Sequence, residues 1–129
     1  MTVENKVMLV LSMQAEHTGL VTLNRIAFEV DKETPKMYYR GDTIGEEIDD
    51  QYAGKVIGYR SQFHKSTLPE RLNSNQDSTV IEFRIVDVCE LEKVEKVVEM
   101  HTKELINKME QELAKRKRLL DGWISTVTE

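Results

Sequence analysis

Short runs of apolar residues, broken by turn signals, occupy most of the chain before the pattern changes to a helical period. The run KVMLVLSM, Lys6 to Met13, is apolar on both alternating faces apart from Ser12. That predicts a strand in the middle of a sheet. Leu20 to Val30 is a second extended segment, with clean alternation from Ile26 onward. The polar stretch DKETPK, Asp31 to Lys36, predicts a turn, because Pro35 cannot donate to a ladder. Met37 to Arg40 then reads as a short strand, Ile44 to Tyr52 as a helical turn, and Lys55 to Arg60 as another strand. From Ser61 to Ser78 the composition becomes polar, and a long loop is expected there. TVIEFRIV, Thr79 to Val86, is the clearest strand: Ile81, Phe83 and Ile85 share one face, Glu82 and Arg84 the other.

After Val86 the period changes to that of a helix. Asp87, three residues before Glu90, matches a capping box. From there to Leu120 no glycine or proline interrupts, and Gly122 is the expected stop. Leu91, Val94, Val98, Leu105, Ile106, Met109, Leu113 and Leu120 fall in one stripe, which Trp123 and Ile124 would extend if the helix ran on. A helix of some thirty residues is about 50 Å long, whereas a domain of this size is only about 30 Å across. One small sheet cannot cover such a stripe, so self-association along the helix is expected. Thr102, Glu112 and Arg116 interrupt the stripe, which favours a short antiparallel crossing or a bundle over a long parallel zipper. The alternative is a break near His101-Thr102 that folds the second half back.

The fold class that follows is α+β: a small antiparallel or mixed sheet of four to five strands, then one long C-terminal amphipathic helix. Residues 1–129 form a single domain, with a β-rich part over 1–87, a mobile loop over about 61–78, and the helix over 88–121. A net charge of −5 disfavours nucleic acid and anionic membranes as partners. The run Lys115 to Arg118 suits the C-terminal end of a helix and needs no nucleic acid to explain it. No run is long and apolar enough to span a membrane, the first residues lack signal-peptide character, and Cys89 stands alone. Together these suggest a cytoplasmic setting.

Candidate chemistry is sparse. His17, His64 and His101 are far apart, the acidic residues from Asp42 to Asp50 lack calcium-loop spacing, and no motif calls for a metal or cofactor. Cys89 stands at the expected helix start, a position that lowers a thiol pKa, but beside a buried strand end it reads first as a small, inaccessible hydrophobe. The better signal is for an anion. Lys55, Arg60, Lys65 and Arg71 stand against Glu70 alone, interleaved with Tyr59, Phe63 and His64. Arg40 and Arg84 join this candidate ligand-binding set if their strands are neighbours, since arginine forks and aromatic faces suit phosphate-bearing ligands. Leu91, Val94, Val98, Leu105, Met109, Leu113 and Leu120 are the candidate interface.

Three functions compete. The first is a non-enzymatic regulatory or inhibitory homo-oligomer acting by surface presentation toward another protein, of the short, acidic kind common among phage and mobile-element accessory products. The second is a protein that binds or sequesters a nucleotide or cyclic nucleotide near a subunit interface. The third is a small enzyme whose site spacing alone does not assemble.

Overall fold

The computed structural model describes residues 3–16, 20–45, 60–74 and 80–128, with helix side chains through Arg118. Six strands, β1 (Lys6–Glu16), β2 (Val21–Glu33), β3 (Met37–Ile44), β4 (Gln62–His64), β5 (Glu70–Ser74) and β6 (Val80–Glu90), precede a long helix, α1 (Val94–Thr128). They form one antiparallel sheet in the order β4-β3-β2-β1-β6-β5. The α+β class with a terminal amphipathic helix is therefore as the pattern predicts, and β1 is central, flanked by β2 and β6.

The two additional strands lie within the polar segment 61–78 that reads as a loop. β4 has one buried residue, Phe63, and among the described side chains of β5 Leu72 is the one apolar residue and is half-buried, so neither shows alternation in the sequence. Pairing against the open edges of β3 and β6 makes them strands. A turn of 3-10 helix, Lys65–Thr67, lies between them. The helical turn and the strand expected over 44–60 fall mostly outside the described residues; Ile44 ends β3 and Arg60 is not in a strand.

Chain length forces this sheet to curl. Its two edge strands are consecutive, joined only by Lys65 to Pro69. In a flat six-stranded sheet the edges would stand about 24 Å apart. A link of six residue steps reaches only about 20 Å even when fully extended, and a 3-10 turn shortens it further. The edges therefore approach each other, and Arg60 beside β4 pairs with Glu70 of β5. Met8, Val10, Ile26, Phe28, Val30, Phe63 and Val86 fill the inside of the curl. On the outer face, Leu11, Met13, Ala15, Ile81, Phe83 and Ile85 pack against Leu105 and Met109 of α1.

The helix begins later than the capping signal implies. Ladder pairing carries β6 through Glu90, opposite Lys6, and a 3-10 turn at Leu91–Lys93 intervenes before α1. Asp87 is thus a strand residue, because four further ladder positions with β1 outweigh one local cap. The helix runs unbroken through His101-Thr102, which excludes a folded-back hairpin. It also continues through Gly122, since one interior glycine costs a helix about 1 kcal/mol and does not by itself end it. Its 35 residues span about 52 Å. Three polar ties mark its diagonal path across the sheet. Glu95 meets Arg25 of β2, His101 meets Asp87 of β6, and Glu104 meets Arg71 of β5.

Leu105 is completely buried between helix and sheet. Leu105→Ala should cost about 2–4 kcal/mol in urea unfolding, from lost transfer energy plus the cavity left behind. Lys103→Ala, on the exposed side of the same turn, should stay within about 0.5 kcal/mol of the parent.

Candidate functional site

Where the sheet edges approach, an open cleft of about 510 Å³ gathers Arg60, Gln62, Phe63, His64, Thr67 and Glu70. Three of the residues singled out for anion binding, Arg60, Phe63 and His64, are brought together here. Backbone bonds hold the rim: Arg40 N–H donates to Ser61 O at 2.8 Å and Lys65 N–H to Lys36 O at 2.9 Å. The Phe63 ring is a core group at 2% exposure, and the Arg60 guanidinium lies 4.1 Å from its centroid. Glu70 holds that same guanidinium in an ion pair. The stack fixes the arginine but also covers a ring face on which a base would otherwise rest.

The remaining candidates are dispersed. Arg84 is on β6 and Arg40 on β3, with β2 and β1 between them, so these two are not on neighbouring strands. Arg84 pairs with Glu82 on its own strand. Arg71 binds Glu104 of the helix through two nitrogens, at 2.6 and 2.9 Å. Lys65 pairs with Glu33 at 2.5 Å, and Lys6 reaches the same carboxylate at 3.4 Å and the Tyr38 hydroxyl at 3.1 Å. Arg40 lies over the Phe28 ring at 5.0 Å, and its buried Nε has no hydrogen-bond partner. Tyr59 lies outside the described residues. Arg60, Lys65, Arg71 and Arg84 each therefore hold a carboxylate already, and a phosphate would have to displace it. The Lys65 ammonium, helped by Lys6, lowers the Glu33 pKa; Arg71 does the same for Glu104.

Sequence spacing misses these carboxylates because most of the pairs are closed by the fold. Glu33 and Lys65, or Arg71 and Glu104, are more than thirty positions apart. Only Glu82 and Arg84, two apart on a strand and so on one face, are visible in the sequence.

His101 Nε2 lies 2.8 Å from Asp87 Oδ2, while Asp87 Oδ1 accepts the Val88 N–H at 2.8 Å. His101 is 2% exposed and its Nδ1 has no partner. With His101 buried and Asp87 half-buried, the pair pins helix to sheet. Cys89, expected at a helix start, is in β6 instead, and burial, reinforced by the Asp87 and Glu90 carboxylates, raises its thiol pKa. That is the opposite of an activated nucleophile. Among the described residues no group of three or more His, Cys, Asp or Glu side chains is placed to hold a metal ion. No described helix is long and apolar enough to cross a membrane.

The helical stripe divides in two. Leu105 and Met109 are core residues, with Val98 packed against them and Val94 half-buried. Leu105, Met109 and Val98 therefore meet the chain's own sheet. Leu91, in the 3-10 turn, is 58% exposed, and Ile106 and Leu113 are each 42% exposed. Leu120 has no described side chain, but its backbone is helical. No protein-family model, curated protein or solved structure matches this chain.

Replacing Asp87 with alanine leaves His101 buried without either ring partner. We expect a loss of about 1–3 kcal/mol by urea unfolding. Acid should act through Glu104. Its folded pKa is below its ordinary value of 4.5, so the Arg71 pair contributes stability above that range and loses it as pH falls through the lower folded value. Because the site is partly exposed, the effect should stay below about 1 kcal/mol. Arg71→Met should accordingly flatten the decline in unfolding midpoint between neutral pH and acid.

Proposed function

We propose that this chain is a non-enzymatic regulatory or inhibitory protein that works as a homo-oligomer. In this reading α1 is the assembly element, and the part of the sheet's outer face that α1 leaves open, around Val21 and Leu23, is the surface presented to a target. The observation that carries it is the length of α1 beyond its sheet. Met109 is the last helix residue in the core among the described side chains, yet the backbone stays helical to Thr128. That extension is about 28 Å. Exposed Ile106 and Leu113 begin a row that apolar residues continue in sequence. The burial of His101 and the raised Cys89 pKa argue against catalysis at those residues.

Light scattering after size exclusion tests this. The 15.0 kDa chain should run at a multiple of its mass at micromolar concentration. The double substitution Ile106→Asp, Leu113→Asp should return it to a folded monomer. A parent protein that stays at monomer mass across that range overturns the proposal.

A second reading, an anionic ligand such as a nucleotide, is favoured by one feature, the meeting of Arg60, Phe63 and His64 in one cleft. Binding there would exchange Glu70 for a phosphate on Arg60. Calorimetric titration with nucleotides should then give heat that Arg60→Ala removes without changing assembly, and an absence of heat with the parent protein discards this reading.

A further inference from the structure

We propose that α1 pairs antiparallel with α1 of a second copy, centred near Ala114, along the row Ile106, Leu113, Leu120 and Val127; this rests on the self-association reading above. The row recurs every seven residues, which supplies one of the two apolar positions of a heptad seam. Its first two members are the exposed leucine and isoleucine that the sheet leaves uncovered, each at 42%.

Charge selects the direction. Along the helix, Glu110 and Glu112 precede the basic run Lys115 to Arg118. Parallel helices in register would set that run beside its own copy. Antiparallel helices centred near Ala114 set Lys117 of each beside Glu110 of the other, while Glu112 is held by Arg116 of its own helix at 3.4 Å. Glu110 and Lys117 share one flank of the row, four positions after Ile106 and Leu113 respectively, and in this register each faces the other across the seam, twice by symmetry. Shape agrees with charge. Val98 to Met109 is occupied by the chain's own sheet, so a parallel pair would crowd two sheets at one end of the seam. The antiparallel pair places them at opposite ends.

The test is a distance and a charge swap. In a Cys89→Ser background shown to be folded by circular dichroism, Lys103→Cys puts a spin label at a site 74% exposed. Two labels, each eleven residues from the centre, should lie about 33 Å apart along the axis in the antiparallel pair. A separation below about 20 Å means a parallel pair and overturns the direction while assembly stands. Absence of dipolar coupling together with monomer mass overturns assembly as well. Lys117→Glu and Glu110→Lys should each weaken the dimer about three- to tenfold, and the two together should restore it. A double variant no tighter than either single one removes the proposed register.

Discussion

β1 is buried on both of its faces, and the other elements take their positions from that requirement. Met8 and Val10 contribute to the core inside the curl, while Leu11, Met13 and Ala15 contribute to the core under the helix. A strand apolar on both sides is stable only between two layers, and each buried aliphatic side chain contributes about 1.5–3 kcal/mol. β2 and β6 flank it along nearly its whole length. The curl then covers one face and α1 covers the other. Neither cover is optional. Without the helix, Leu11, Phe83 and Ile85 would form an exposed apolar face of the kind that aggregates.

The same arrangement explains why a chain with so many cations offers so few to a ligand. Curling brings edge residues against each other, and the diagonal helix brings its own charges down to β2 and β5. Arg60 meets Glu70, Lys65 meets Glu33, Arg71 meets Glu104 and Arg25 meets Glu95. Each of these partly exposed pairs contributes little on its own, about 0–1 kcal/mol. Their larger effect is on binding, because the positive surplus that stands out along the sequence is compensated in space. A cluster of like charges in a sequence is evidence of an anion site only when the fold leaves it uncompensated.

What could be read from the chain follows the range of the interaction concerned. β1 shows as a continuous apolar run, and β2, β6 and the long helix show by periodicity; both signals are local. β4 and β5 rest on edge pairing, with Phe63 the one buried residue among their described side chains, and no local pattern reveals that. Asp87 shows how a correct local rule is overridden. It has the spacing of a helix cap, but ladder pairing extends past it and its carboxylate meets His101, fourteen residues on. Within the candidate site, the gathering of Arg60, Phe63 and His64 was legible because the three are close in sequence. The carboxylates that hold Lys65 and Arg71 were not, since a contact across some thirty residues depends on strand order.

The helix also shows how one apolar stripe can serve two layers. Positions that face the sheet, Val94, Val98, His101, Leu105 and Met109, recur on average every 3.75 residues, close to the period of a straight helix. The exposed row starting at Ile106 recurs every seven, and on a straight helix such a row drifts by about 20° per repeat. Over the three repeats to Val127 the drift totals about 60°, which moves the row around to the angular position that Met109 holds over the sheet. At 100° per residue, Ile106 stands beside the covered stripe, while Val127 stands on its continuation. The surface that the sheet covers at the start of α1 is therefore the surface that the row reaches once the sheet has ended. On the proposed assembly, cover for that seam passes from the chain's own sheet to the second copy without a bend in the helix, which is consistent with a backbone that stays helical through both His101-Thr102 and Gly122.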